Sequence, residues 1–243
     1  MTAIEAKNLT KVYKGKTAVD KLSLSIGQGE LFALLGVNGA GKSTTIKMLS
    51  CLTKPTDGEA FLLGDSITLA PQAVKQKINV SPQETAVAPN LSVRENLELI
   101  CGIYGHDRET ARKKTAETIE AFGMGEIAAQ KAKTLSGGWQ RRLSIVMALI
   151  SEPQILFLDE PTLGLDVIAR RELWRVIRGL KGKITIILTT HYLEEAQSLA
   201  DRIGIMSKGK LKALGTADAL IAEAKAGDFE DAFLYFAGEE AAI

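Results

Sequence analysis

The stretch Gly36-Val37-Asn38-Gly39-Ala40-Gly41-Lys42-Ser43-Thr44 carries the sharpest chemistry in this chain. It fits the spacing G-x-x-x-x-G-K-[ST]. Glycines at these places let consecutive backbone N–H groups turn toward an anion without Cβ interference. An apolar run, Leu31-Phe32-Ala33-Leu34-Leu35, precedes the stretch, and Ile46, Leu49 and Leu52 follow at near-helical spacing. The order strand, glycine loop, helix aims the free N–H groups and positive dipole end of the new helix at the same anion. In such a loop Lys42 reaches the β- and γ-phosphates of a nucleotide, and the Ser43 hydroxyl ligates Mg²⁺.

Other residues have the types such a loop needs around it. Asp159 ends the apolar run Ile155-Leu156-Phe157-Leu158. Carboxyl ends of strands are where open parallel sheets bind ligands. Asp159 is placed to hold Mg²⁺ through water, and Glu160 follows it as a candidate general base for an attacking water. His191 ends a second apolar run, Ile184 to Leu188 followed by two threonines; a hydrogen bond from it to a γ-phosphate would orient the water and steady the charge. Gln83, expected at the end of a short strand from Lys77, offers an amide oxygen to Mg²⁺. Leu135-Ser136-Gly137-Gly138 reads as a helix N-terminus and a second anion site. One chain does not need two γ-phosphate sites; two chains head to tail would use both. Tyr13 is either a stacking partner for adenine or a strand-end aromatic in the core.

The elements that must position these groups are legible in the patterning. Residues 2–13 and 18–26 read as strands, the second alternating Leu22, Leu24 and Ile26 against Ser23 and Ser25. A short strand follows the turn Pro55-Thr56-Asp57-Gly58. From Val93 to Phe122 the pattern is helical, with Leu97, Ile100 and Tyr104 on one face and then Ala116, Ile119 and Phe122. A helix with Leu143, Val146, Met147 and Ile150 at i, i+3, i+4, i+7 follows. Apolar strands alternating with helices predict a parallel sheet covered on both faces. Residues 202–206 and 210–214 read as a hairpin. Phe229, Ala232, Phe233 and Phe236 form a stripe that predicts a docked C-terminal helix. The expected fold class is α/β: a phosphate-loop core with a mixed, mainly parallel sheet, an N-terminal antiparallel β unit and an inserted helical unit. The expected division is 1–83 and 146–215 for the core, 84–145 for the insertion and 216–243 for a helical tail.

Composition narrows the class. The 243 residues are 46% hydrophobic and 24% charged, ordinary for a chain that folds around a core. A formal net charge of +1 gives no global bias toward nucleic acid or an anionic surface. Cys51 and Cys101 make neither a disulfide framework nor a structural metal site. Both lie in apolar helical patterns and read as buried thiols. The start Met1-Thr2-Ala3-Ile4-Glu5 lacks a secretory pattern, and no apolar run reaches the roughly 18 residues a membrane span needs.

Taken in order, Tyr13, Gly36 to Thr44, Gln83, Leu135 to Gly138, Ile155 to Glu160, Leu163-Gly164-Leu165-Asp166 and His191 resemble the nucleotide-binding subunit of an ATP-binding cassette (ABC) transporter. Gly36 to Thr44 corresponds to its Walker A loop and Ile155 to Glu160 to its Walker B strand. The resemblance covers residues 2–215. It implies ATP and Mg²⁺, a dimer with ATP sandwiched at Ser136, Gly137 and Gly138 supplied in trans, and Asp166 as a contact across that dimer. It further implies an integral membrane permease as partner, a second cassette that is either a copy or a paired chain, and a place on the cytoplasmic face of the membrane. Asn90 to Leu97, Ile103-Tyr104-Gly105 and Phe229 to Phe233 look like the drug-, sodium- and polysaccharide-type exporters that pair with six-helix permeases. The chain departs from the family pattern at Trp139, where Gln is commoner, and at Leu163 and Val167. The alternative is a soluble ABC ATPase acting on ribosomes or DNA.

Overall fold

Two long strands, β1 (Thr2–Tyr13) and β2 (Lys16–Gly27), form the N-terminal hairpin. The alternation within β2 holds: Leu22, Leu24 and Ile26 are buried while Ser23 and Ser25 are exposed. The chain then leaves this hairpin as β3 (Leu31–Leu35), passes through the glycine loop and enters α1 (Lys42–Leu49). It returns as β4 (Asp57–Leu62) and β5 (Asp65–Ser66), completing an antiparallel sheet of order β2-β1-β4-β5. The structure, a computed structural model, describes residues 1–238; residues 239–243 of the expected tail lie outside the described residues.

The second sheet combines β3 with strands that follow α2 (Pro71–Lys77). In order come β6 (Ile78–Ser81), α3 (Val93–Ile103), α4 (Arg108–Ala121), α5 (Gly137–Leu149), β7 (Ile155–Asp159) and α6 (Val167–Leu180). Then follow β8 (Thr185–Thr190), α7 (Leu193–Leu199), β9 (Arg202–Ser207), β10 (Lys210–Gly215), α8 (Ala217–Ala224) and α9 (Phe229–Ala237). The sheet order is β10-β9-β3-β8-β7-β6, parallel throughout except for β10. The expected mixed, mainly parallel sheet beside an antiparallel β unit is therefore present.

The pleat assigns the apolar strands to two cores. Phe32, Leu34, Phe157 and Ile187 join the antiparallel sheet, Ile46 and Leu49 on one face. Leu31, Ala33, Leu35, Leu156, Leu158 and Leu188 meet Trp174, Ile177, Leu199 and Phe233 on the other. Burial on both faces explains why these strands read as unbroken apolar runs. A third core lies within α3, α4 and α5, around Val93, Leu97, Ile119, Leu143 and Val146. The α9 stripe docks as expected, with Phe229, Ala232 and Phe233 buried and the Ser207 hydroxyl donating to Ala237 O at 2.9 Å.

Several expectations need correction. The helix α2 has no counterpart in the sequence reading, because its only buried residue is Val74 and it shows no apolar period. The segment 93–122 is two helices: the Asp107 side chain caps the second by accepting from Thr110 N at 2.9 Å. Ala116 is exposed, and Ala111, Thr115 and Ile119 are the buried line of α4. Gln83 does not end a strand, since β6 stops at Ser81. Cys51 lies past the end of α1 with φ +58° and is only partly buried, whereas Cys101 is buried within α3.

Candidate active site

The parallel register brings distant segments together. Strand β3 pairs with β8, and β8 with β7, so the glycine loop, Asp159-Glu160 and His191 emerge side by side at the carboxyl edge. A cleft of about 360 Å³ is lined there by Asn38, Gly39, Ala40, Gly41, Lys42, Ser43, Thr44, Gln83, Glu160 and His191, with Ala18 and Leu163. Gly36 and Val37 lie just before this lining and act through their carbonyls. Gly41 has φ +105°, and a Cβ on it would lie 2.5 Å from Ala18 O, so only glycine fits against the β2 backbone.

Glu160 is the hub. It is 6% exposed; its Oε1 lies 3.2 Å from Lys42 Nζ and its Oε2 2.7 Å from His191 Nδ1. A carboxylate accepts, so the His191 Nδ1 carries the proton and Nε2 is the nitrogen left for a ligand. Lys42 Nζ also donates to Gly36 O at 2.7 Å and Val37 O at 3.3 Å. The Glu160 backbone is left-handed, φ +49°, a conformation that costs a non-glycine residue about 1–3 kcal/mol and persists only where its surroundings over-determine it. Here Glu160 N is fixed by Thr189 O and Thr189 Oγ1, each at 3.1 Å.

Asp159 sits one residue earlier with its carboxylate turned to the loop. Its Oδ1 accepts from Ser43 Oγ at 3.0 Å and from Thr189 Oγ1 at 2.5 Å. Hydroxyl and carboxylate oxygens side by side, with the Gln83 amide on the same cleft, are a hard-oxygen donor set suited to Mg²⁺.

Sequence reasoning missed three supports. Thr189 holds both acids, and its signal was the polar run Thr189-Thr190-His191 closing an apolar strand. Arg141, 4% exposed, donates from Nε to Pro161 O at 2.8 Å, from Nη2 to Asp159 O at 2.8 Å and from Nη1 to Gln83 O at 3.2 Å and to Pro82 O. Its burial draws the guanidinium pKa down to about 10, against the opposing pull of Asp159 and Glu195. Helical period places Arg141 with Ser144, Ile145 and Ala148 on a buried face, a signal that was available. Glu195, fully buried in α7, accepts from Trp174 Nε1 at 3.0 Å. Burial holds its carboxyl above the usual range, with Thr190, Trp174 and Thr162 pulling the other way.

The remaining candidates lie elsewhere. Ser136 and Gly138 line a separate cleft of about 260 Å³ with Trp139, Arg142, Asp166 and Ile168. Ser136 Oγ caps α5 by accepting from Trp139 N at 3.4 Å; Gly137 is exposed beside it. Gly138 packs so closely on α6 that a Cβ would lie 2.8 Å from Ala169 Cβ. Asp166 caps α6, accepting from Ile168 N and Ala169 N at 2.9 Å. Tyr13 is outside both clefts and outside the core: it ends β1, exposed, with Lys11 Nζ 5.0 Å from its ring centroid.

Comparison with known proteins places this geometry. The chain is 43% identical over 215 residues to the daunorubicin/doxorubicin resistance ATP-binding protein DrrA of Streptomyces peucetius, an alignment covering 88% of this chain and 65% of that protein. It is 42% identical over 214 residues to the linearmycin resistance ATP-binding protein LnrL of Bacillus subtilis, covering 88% of this chain and 69% of that one. The chain thus spans about two thirds of the length of these relatives. The solved structure of the ATP-binding subunit of an ABC transporter superposes with a TM-score of 0.85 at 27% identity, covering 98% of this chain and all of that one. A dimeric post-hydrolysis state of the ATP-binding cassette MJ0796, bound to ADP and Pi, matches with a TM-score of 0.78 at 28% identity over 88% of this chain and 98% of that one. The family model for ABC transporters matches residues 19–163, and with the relatives it establishes that this chain belongs to the ABC transporter family.

Proposed function

We propose that this chain is the ATP-binding and ATP-hydrolysing subunit of a membrane exporter. The observation that carries the reading is the placement of Glu160 between Lys42 and His191, at the strand end beside the glycine loop. The loop's N–H groups and Lys42 bind the phosphates. Lys42 exchanges its loop carbonyls and Glu160 for phosphate oxygens, and the freed carboxylate takes a proton from the attacking water. His191, held by Glu160 through Nδ1, meets the γ-phosphate from Nε2 as an imidazolium, the form in which both ring nitrogens donate. Ser43, Asp159 and Gln83 would hold Mg²⁺, which neutralises charge on the phosphates when bound.

The second cleft serves the partner. Ser136, Gly137 and Asp166 are exposed with Gly138 beside them, so a second cassette placed head to tail receives them at its own ATP, and closure of the pair drives a separate permease at the cytoplasmic face of the membrane. No helix among the described residues is long and apolar enough to cross a membrane, which fits a permease supplied by another chain. Residues 84–145 form the unit that contacts it, between the core segments 1–83 and 146–215, with 216–243 as a tail. The drug-resistance names of the relatives support the exporter direction, and Tyr13 serves as the adenine contact once Lys11 is displaced.

Phosphate release from Mg-ATP tests the reading. Glu160→Gln is expected to keep ATP binding and lower turnover roughly 10²–10⁴-fold, the usual worth of a general base. Near-wild-type turnover in that variant would refute the assignment.

A further inference from the structure

The buried Arg141 guanidinium has an unusual set of partners. Its N–H groups meet four main-chain carbonyls, Pro82 and Gln83 beyond β6, and Asp159 and Pro161 beyond β7. Two of these flank Glu160. The Asp159 carbonyl belongs to the peptide just before the Glu160 φ torsion, and the Pro161 carbonyl belongs to the next residue, whose own φ is fixed by the proline ring. With Glu160 N tied to Thr189, the backbone of Glu160 is fixed from both sides. A left-handed φ at this residue needs such a clamp.

We infer that Arg141 is a positioning residue for hydrolysis: it sets the backbone that aims the Glu160 carboxylate and ties that backbone to Gln83, where the chain leaves the core for α3 and α4. The inference rests on the ATPase reading above. Arg141 lies five residues past Ser136 on α5, so one rigid turn of helix joins the turn offered to a partner to the catalytic strand end of the same chain. A guanidinium suits the task because its five N–H groups form a planar fork. A lysine ammonium in its place reaches only some of the four carbonyls. Misplacement of a reacting group by about 1 Å costs roughly 10²-fold in rate, whereas the phosphate loop does not depend on Arg141.

The test uses the whole chain and the variants Arg141→Met and Arg141→Lys. Phosphate release gives kcat, titration with a fluorescent ATP analogue gives Kd, and thermal melts report folding. The expected result is a kcat at least about tenfold lower in Arg141→Met with Kd within about threefold of wild type, and partial recovery of kcat in Arg141→Lys. A kcat within about twofold of wild type, or a Kd that rises in step with the loss of kcat, would overturn the inference. Should Arg141→Met not fold, Arg141→Lys decides alone: lowered kcat at unchanged Kd supports positioning, and unchanged kcat overturns it. Failure of both to fold would assign Arg141 to folding and also overturn it. Absence of turnover in the wild-type chain would strike the ATPase reading itself, before any variant is compared.

Discussion

The chain begins two helices with small residues and free N–H groups, and the two starts are finished very differently. At α1, Lys42 is 5% exposed, Ser43 is bonded to Asp159, and the loop is backed by the ends of β7 and β8. At α5, Ser136 and Gly137 are exposed, and the Ser136 cap is long at 3.4 Å. The local device is the same, an anion-ready helix N-terminus. The first is enclosed by the sheet that carries it, so its groups are pre-positioned within one chain. The second lies at the surface, flanked by Asp166, Ile168 and Ala169, with Ser136 and Gly137 left exposed where a neighbour could receive them.

The comparison breaks most sharply at Lys42. Hydrogen bonds to charged groups are worth about 1.5–3 kcal/mol, so Lys42→Ala is expected to weaken ATP binding roughly ten- to a hundredfold. Unchanged affinity in a nucleotide titration would remove Lys42 from the phosphate site. The glycines sharpen the contrast next. Gly138→Ala pushes a Cβ into Ala169 and should cost about 1–3 kcal/mol of stability as overpacking does. Gly137→Ala meets nothing within 4 Å and should be neutral or gain up to about 1 kcal/mol from helix propensity. If Gly137 approaches a partner's nucleotide, its alanine variant folds well yet turns over slowly. Equal melting temperatures for the two variants in urea or heat would show that α5 and α6 are not packed as described.

Ser136→Ala follows, with a stability loss of about 0.5–1 kcal/mol for so long a cap and a larger loss of turnover. Turnover that stays at the wild-type value would leave the exposed start as an ordinary cap. The smallest effect is electrostatic. Glu195 has its folded pKa raised by burial, so the folded chain binds a proton there that the unfolded chain has already released. Its burial therefore costs nothing below the usual carboxylate range, and the cost grows as pH rises through the raised value. Glu195→Gln should gain on wild type in melting temperature as pH rises from acid to neutral, and a difference constant with pH would refute the charge argument.

The residues proposed to bind or cut were easier to read than the residues that hold them. Gly36 to Thr44, Asp159, Glu160 and His191 announce themselves because polar groups interrupt apolar runs where strands end. The strands themselves were legible for the same reason: burial on both faces leaves Ile155 to Leu158 no polar position. The helix α2 was not, since a single buried valine makes no period. Arg141 and Glu195 were passed over because a charged side chain is ordinarily solvated, and only the helical face each shares with apolar neighbours marks it as interior. Gln83 was placed on a strand that stops two residues earlier, because the sequence does not mark where β6 loses its partner β7. Asp166, expected as a contact across a dimer, is a helix cap in the structure, and spacing alone does not separate the two roles.

The strand order has a consequence for the newborn chain. Strand β3 is made early but pairs with β8 and β9, so Leu35 must wait for Thr190 and Ile205. Synthesis at about 5–20 residues per second puts the 155 residues between Leu35 and Thr190 roughly 8–30 s apart. Through that interval the segment Leu31–Leu35 has neither strand partner, and only Phe32 and Leu34 have the antiparallel sheet to pack against. Contacts of such long sequence separation slow folding and prolong exposure of sticky surface. A ribosome stalled before β8 would therefore carry a chain with Lys42 but without His191 beside it, and nascent chains of that length are the ones a chaperone should meet.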